Sequence, residues 1–410
     1  MSTAIHPIGI IGTGAMGAGI AQVAAVSGWP VFMLDLDEAT VQQAIDGIIK
    51  RIDRQVDKGL LTPEQRTEII PRLQVAKSAR DLKDCDLVIE AIVEDLAVKA
   101  MVLSRVLHEL PKDGVIASNT SSLSITKLGD ALGPSSASRV VGLHFFNPAP
   151  LMPLVEVIAG VKSSPDALKR VTLIAEAWGK TVVRCNDTPG FIVNRVARPF
   201  YLESFRIVED GYAGAEEIDK AMKDLGGFKM GPFELTDLIG HDVNSATTQS
   251  VWEQLGKPAR LRPSKLQSQL VHDGHLGRKS GRGAYSHEVD PPVPTLAFTR
   301  RSLAVSDRLH EAIEQFVPQA TDQIGSTLEK YVFARVLVSI INEAAWAFTE
   351  GVATAADINT ALKLGTNYPK GPLEWAEEIG YSVCGELLDA FNESVVDRRF
   401  DAPEMLKSKV

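Results

Sequence analysis

Ile8-Gly-Ile-Ile-Gly12-Thr-Gly14-Ala-Met-Gly17-Ala-Gly-Ile-Ala21 decides the fold of the first part of the chain. Ile8–Ile11 is a short apolar run, as a buried strand requires. Three glycines follow at once, and Ala18–Ser27 is small and apolar, suited to a helix lying on a sheet. Val31–Leu34 is a second buried strand, ending in Asp35. This is a strand–helix–strand start. Gly12 permits a tight turn, Gly14 lets backbone approach a pyrophosphate, and Gly17 lets the helix pack against the strand, with Ala15 and Met16 filling the turn. Such a glycine pattern recurs by chance. Here a strand precedes it, a helix follows, and an acid closes the next strand, which is the context of a dinucleotide site. Asp35 is expected to accept from ribose hydroxyls and to repel a 2′-phosphate. Leu36 offers no cation in compensation, which favours NAD over NADP.

The chain has 410 residues, 45% hydrophobic and 23% charged, with 32 Gly and 22 Pro. That is globular composition, and two or three domains are expected. A net charge of −9 argues against bulk nucleic-acid binding, and a polyanionic ligand needs a local basic patch. Cys85, Cys185 and Cys384 are scattered, which argues against a disulfide scaffold and for a reducing compartment. Residues 1–34 lack Asp, Glu, Lys and Arg, yet glycines and Pro30 break the stretch and no basic segment precedes it. It is read as neither a signal peptide nor a span, and no other apolar run of spanning length is expected. The reading is a cytoplasmic protein with no membrane and no nucleic-acid partner.

Working outward, residues 38–74 read as a polar helical hairpin outside the sheet, carrying Arg51, Arg54, Lys58 and Arg66. Leu87–Ile92, Val115–Ser118, Val140–His144 and Leu154–Ile158 read as strands, with 96–109 helical. The first domain is set at 1–186, followed by a helical domain at 187–286. A proline-rich linker covers 287–300, and a second helical domain 301–410. The expected class is an α/β Rossmann domain followed by two all-α domains in tandem repeat.

The repeat is read from a shift of about 140 residues. It sets Arg195-Val196 on Arg335-Val336, Glu203 on Glu343 and Gly211 on Gly351. It also sets Gly231-Pro232 on Gly371-Pro372 and Ile239-Gly240 on Ile379-Gly380. Glycines and a Gly-Pro pair carry backbone geometry, so these matches weigh more than apolar ones.

A second constellation runs through Ser118-Asn-Thr-Ser-Ser-Leu123, Gly142-Leu-His-Phe-Phe-Asn-Pro148 and Leu154-Val-Glu-Val157. Taken singly, His144 is more often a satisfied core histidine and Glu156 a solvated strand residue. A histidine ending one strand and a glutamate on the next can meet as a hydrogen-bonded pair. That fixes the imidazole tautomer and raises its basicity, as a general base requires.

With these segments, the chain resembles the 3-hydroxyacyl-CoA dehydrogenase family over its whole length. Asp187-Thr-Pro-Gly-Phe-Ile-Val-Asn-Arg195 and Met230-Gly-Pro-Phe-Glu-Leu235 extend the match into the helical part. The tandem helical part resembles the bacterial branch acting on 3-hydroxyadipyl-CoA and 3-hydroxybutyryl-CoA. That implies fatty acid metabolism, β-oxidation or phenylacetate degradation.

The resemblance implies roles. His144 takes the proton of the substrate 3-hydroxyl, Glu156 orients it, Ser121 hydrogen-bonds the reacting oxygen, and Asn194 completes the catalytic set. Glu94, Lys99 and Ser121 lie near the nicotinamide, and Lys279 reaches the cofactor from the helical part. Without the resemblance, Lys99 and Lys279 read as solvated surface residues. Arg51 and Lys58, about two helical turns apart on one face, match positions that contact coenzyme A; the bland alternative is a solvated helix face.

In the second repeat Ala334 stands where Asn194 stands in the first, so one active site per chain follows. The two repeats are expected to pack as an intrachain pseudo-dimer, with a homo-oligomer left open. Arg198 follows Asn194 by four residues, on the same face of one expected helix. It either clamps a distal carboxylate of the acyl tail or pairs structurally with Glu203 or another acid. His272 and His275 read as loop residues, and no metal is expected. Competing readings are a dehydrogenase of a free hydroxy acid (gulonate or carnitine type) and a non-catalytic NAD-binding structural protein.

Overall fold

The computed structural model describes residues 6–407, so the outermost residues of the expected first and last domains lie outside the described part. Two compact units divide between Phe191 and Ile192. The first unit is a Rossmann-like α/β domain. It contains β1 (Ile8–Ile11), α1 (Ala15–Val26), β2 (Val31–Leu34), α2 (Glu38–Asp57), α3 (Pro63–Ile69), β3 (Leu73–Val75), β4 (Leu87–Glu90) and α4 (Leu96–Glu109). β5 (Val115–Ser118), α5 (Ile125–Ala131), β6 (Val140–Phe145), β7 (Leu154–Ala159), α6 (Pro165–Ala177) and β8 (Thr181–Asn186) complete it.

The sheet order is β3-β2-β1-β4-β5-β6-β7-β8. β1 to β6 are parallel, and the β6–β7 pairing is antiparallel. Strands β1, β4, β5 and β6 are buried at every position, which explains their unbroken apolar runs. Strand order reverses between β1 and β4, so the Gly12 turn and the end of β4 flank the switch point where such sheets bind ligands.

The helical hairpin is α2 and α3. Asp37 caps α2 by accepting from Thr40 N, and a Thr62–Gln65 capping box with Pro63 starts α3. The expected helical run to residue 74 is too long. Leu73–Val75 leaves it to pair with β2 at the sheet edge, because Leu73 is buried there and Pro71, in the short turn Ile70–Arg72, cannot continue α3. β8 extends the sheet beyond the strands read from sequence. Its alternating apolar and polar residues fit an edge strand buried on one face.

The second unit is helical. It holds α7 (Val193–Val196), α8 (Arg198–Glu209), α9 (Ala215–Asp224), α10 (Pro232–Ile239), α11 (His241–Gln254) and α12 (Lys265–His272). A two-residue hairpin follows, β9 (Tyr285–Ser286) with β10 (Val293–Pro294). Then come α13 (Asp307–Ala320), α14 (Thr327–Thr349), α15 (Ala355–Gly365), α16 (Pro372–Ile379), α17 (Tyr381–Glu393) and α18 (Glu404–Lys407).

The expected linker is therefore tied down at both ends. His287 reaches Asp237 at 2.7 Å, β10 pairs with β9, and Arg301 N donates to Gly211 O. Pro294 is tolerated because a two-stranded ribbon leaves one edge without a hydrogen-bonding partner. His272 closes α12 instead of lying in a loop. Among the described residues one helix, α14, is long and apolar enough to cross a membrane, contrary to the sequence expectation. Within that helix 83% of the apolar window is buried in the fold, and it carries buried Arg335 and Glu343. It serves as the core helix of this unit, packed on α8 and α9.

Candidate active site

The glycine turn is built as its sequence requires. Gly12 has φ +88°, and a Cβ there would lie 2.5 Å from Ala91 O. A Cβ on Gly17 would lie 1.8 Å from Gly12 O, so only glycine lets α1 close on its own turn. A Cβ on Gly14 would meet nothing within 4 Å. α1 has no side-chain cap, so the backbone N–H groups of its first turn, which includes Ala15 and Met16, face that open space. This arrangement suits a diphosphate. Asp35 accepts from Thr13 N at 2.6 Å and Thr13 Oγ1 at 2.7 Å, which holds the acid against the turn. The residues fit a dinucleotide with an unmodified ribose.

Antiparallel pairing places His144 directly opposite Glu156, so both side chains leave the same face of the sheet. His144 Nδ1 lies 2.7 Å from Glu156 Oε2. Glu156 is fully buried and His144 is 6% exposed. A carboxylate only accepts, so this contact puts the proton on Nδ1 and leaves Nε2 as the acceptor. The rings of Phe146 and Phe191 lie 4.6 and 5.9 Å from the imidazole. Asn119 Oδ1 accepts from Phe145 N and so ties the end of β6 to the loop after β5.

That loop also belongs to a buried network. Glu90, the last residue of β4, accepts from Lys99 Nζ, Ile92 N and Ser118 Oγ, each at 2.6 Å. Lys99 also lies 3.3 Å from Glu94 Oε2. Glu94 Oε1 in turn accepts from Thr120 Oγ1, Ser121 N, Ser122 N and Ser122 Oγ. Burial opposes the Glu94 charge, yet the Thr120 hydroxyl, Lys99 and Ser122 together hold its pKa below the usual carboxylate range.

Several expectations change here. Lys99 is 1% exposed, so the solvated reading that its sequence context alone supports is wrong: its ammonium is enclosed between two carboxylates. Lys279 is half-exposed and its Nζ holds Asp242 at 2.5 Å. Arg51 Nε donates to Gln22 Oε1 on α1 at 2.7 Å, while Lys58 caps the end of α2 and is exposed. Asn194 lies in α7 and Arg198 begins α8, so they share no continuous helix, because Pro199 starts a new one. Arg198 does not pair with Glu203, which instead holds Arg206, Arg335 and Arg399.

Sequence reasoning missed Glu90, Asn119 and Lys180. A charged residue closing a buried strand was the available signal for Glu90. Lys180 Nζ donates to Ala149 O and Met152 O and so pins the loop that follows His144; nothing local marked it. Among the described residues no group of three or more His, Cys, Asp or Glu is arranged to hold a metal.

Residues 7–188 match the family "3-hydroxyacyl-CoA dehydrogenase, NAD binding domain". Residues 190–287 and 331–410 match "3-hydroxyacyl-CoA dehydrogenase, C-terminal domain". The chain is 35% identical to a 3-hydroxyadipyl-CoA dehydrogenase of Escherichia coli, over 99% of this chain and 97% of that protein. It is 40% identical to a 3-hydroxybutyryl-CoA dehydrogenase of Mycobacterium tuberculosis, over 70% of this chain and all of that protein. A crystal structure of 3-hydroxybutyryl-CoA dehydrogenase from Escherichia coli matches with a TM-score of 0.87 at 35% identity, covering 98% of each chain.

Proposed function

The chain belongs to the 3-hydroxyacyl-CoA dehydrogenase family and is an NAD-dependent oxidoreductase of 3-hydroxyacyl-CoA, and on that premise we propose that His144 is its general base. The observation that carries this is the 2.7 Å contact between His144 Nδ1 and the buried Glu156 carboxylate. His144 Nε2 accepts the proton of the substrate 3-hydroxyl as the C3–H bond breaks with its electron pair. Glu156 stabilises the imidazolium that results, through the proton retained on Nδ1. NAD, when bound, supplies the acceptor for that electron pair. Glu94 fixes the Ser121 backbone and so places the hydroxyl proposed to hold the reacting oxygen. Arg51 and Lys58 are proposed to meet the phosphates of coenzyme A. The roles of Asn194 and Lys279 rest on the family resemblance.

We also propose that the helical part is a tandem repeat whose halves pack as an intrachain pseudo-dimer, with one catalytic set per chain. Two separate segments match one domain family, and the shorter Mycobacterium tuberculosis relative spans only 70% of this chain. Local geometry recurs at the same shift. Lys223–Glu234 at 2.5 Å answers Lys363–Glu374 at 2.6 Å. Gly240 with φ +104° answers Gly380 with φ +97°.

The test is NADH consumption with acetoacetyl-CoA beside free acetoacetate. Turnover of the thioester alone is expected. Turnover of the free acid alone would overturn the coenzyme A assignment.

A further inference from the structure

Arg198 is 4% exposed, and among the described residues no carboxylate lies within 4.0 Å of it. Its Nη1 donates to Asn244 O and Thr248 Oγ1, both at 3.3 Å, long for a charged donor. Its Nε has no partner among the described residues. Two further buried donors nearby share that condition, Asn244 Nδ2 and the Tyr368 hydroxyl. Asn244 Oδ1 is taken by Gln267 Nε2 at 3.0 Å, which leaves the amide N–H group as the unused end. Tyr368 packs on Phe200 of α8, and burial keeps its hydroxyl neutral and hydrogen-bearing. The guanidinium lies 5.0 Å over the Tyr201 ring, which meets one face of the charge; its unpartnered Nε and the orphaned donors around it lack an anion.

The packing of the helices does not require this cluster. On the proposed repeat, the counterparts of Arg198, Asn244, Thr248 and Tyr368 are Val338, Cys384, Leu388 and Phe228. All four are buried. Positions that correspond on the proposed repeat thus bury apolar side chains where this cluster is polar.

We propose that Arg198, Asn244 and Tyr368 form a buried receptor for one carboxylate, and that the distal carboxylate of a dicarboxylic 3-hydroxyacyl thioester fills it. The inference rests on the activity proposed above and names its substrate class. Asn194 and Arg198 stand four residues apart, on either side of the α7–α8 junction. Three carbon–carbon bonds separate C3 of a 3-hydroxyadipyl chain from its distal carboxylate, the length that an arginine side chain reaching toward it has to meet. Chloride from solvent offers the same charge, so the test separates the two sources.

The experiment measures binding of adipyl-CoA and hexanoyl-CoA by calorimetry. Both lack the 3-hydroxyl, so turnover plays no part. The variants are Arg198→Val and Tyr368→Phe, each copying a residue that the other half already buries. The wild type is expected to bind adipyl-CoA about 10-fold or more tightly than hexanoyl-CoA. Each variant is expected to lose that preference while hexanoyl-CoA binding stays within about 2-fold. Equal affinity of the wild type for both thioesters would overturn the proposal, as would parallel loss of both in Tyr368→Phe. So would a chloride-dependent rise in melting temperature in the wild type, absent in Arg198→Val, without any adipyl preference. Failure of the wild type to oxidise both 3-hydroxyadipyl-CoA and 3-hydroxybutyryl-CoA would instead strike the proposed function and leave the binding result standing.

Discussion

Arg195 Nε donates to Glu343 Oε1 at 2.7 Å, and the exchanged pair recurs, with Arg335 Nε donating to Glu203 Oε2 at 2.9 Å. The second nitrogens repeat the exchange, Arg195 Nη1 to Glu350 and Arg335 Nη1 to Asp210. On the proposed repeat, residue i of one half meets residue j of the other, and j meets i, as in a two-fold dimer interface. Arg195, Arg335, Glu203 and Glu343 are buried, so deleting the Glu343 carboxylate leaves the buried Arg195 with only the half-exposed Glu350 as its partner. Glu343→Gln is expected to lower unfolding free energy by about 3–5 kcal/mol in urea denaturation. Glu203→Gln is expected to lose at least as much, because it faces three guanidinium groups. Burial works against its charge, but those arginines bring its pKa from 4.5 down to about 2. A depressed acid stabilises the fold above its unfolded pKa, and this contribution fades as pH falls from about 4.5 toward 2. A change under about 1 kcal/mol in both variants would refute the exchanged interface as a source of stability.

His144→Gln removes the base while keeping a side chain of similar reach. The expected result is a kcat loss of about 10²–10⁴-fold with NADH affinity retained, read by stopped-flow and fluorescence titration. Glu156→Gln keeps the volume but no longer fixes the Nδ1 proton. It is expected to lower kcat with little change in KM for the thioester. Loss of NADH affinity in parallel with kcat would place His144 in cofactor binding and not in proton transfer.

Gly14 and Gly17 separate binding from folding. Gly14→Ala adds a methyl group into open space, so the melting temperature is expected to hold while NAD affinity falls. Gly17→Ala puts that methyl 1.8 Å from Gly12 O, so the fold itself is expected to weaken. Equal melting temperatures for both variants would show that the turn relaxes more freely than its geometry implies.

The parts legible in the sequence share one property: their signals are local. The glycine turn, Asp35 and the facing of His144 and Glu156 follow from spacing and strand alternation. What escaped depends on distant partners. β3 is three residues long, and only its pairing with β2 makes it a strand. Lys99 looks like a surface lysine until β4 and β5 bring Glu90 and Ser118 beside it. Arg198 lost its expected acid because Arg335, from 132 residues away, holds Glu203 instead.

Asp219 carries the last prediction. Its carboxyl accepts from Phe233 N, Glu234 N and the Tyr285 hydroxyl, at 2.8, 2.9 and 2.8 Å. A Cβ on Gly231 would lie 2.3 Å from it, so the acid sits hard against the start of α10. Burial pushes its pKa from 3.8 up to about 7, with the nearby Glu234 charge adding to the rise, against the lowering effect of the hydrogen bonds. A raised acid favours the fold while protonated, so its contribution is complete below its unfolded pKa of 3.8 and is lost as pH rises through about 7. Three pH units correspond to about 4 kcal/mol, an upper bound for this site. On the proposed repeat Asn359 stands at the corresponding position, where Oδ1 accepts from Leu373 N at 2.8 Å. Asp219→Asn copies it and carries no charge at any pH. The variant is expected to be more stable than the wild type at pH 8 by about 1–3 kcal/mol, with less than half of that advantage left at pH 5. Urea unfolding at both pH values reads the difference. An offset of equal size at both would mean that Asp219 does not titrate in this range and that its ionised form is held by its three donors.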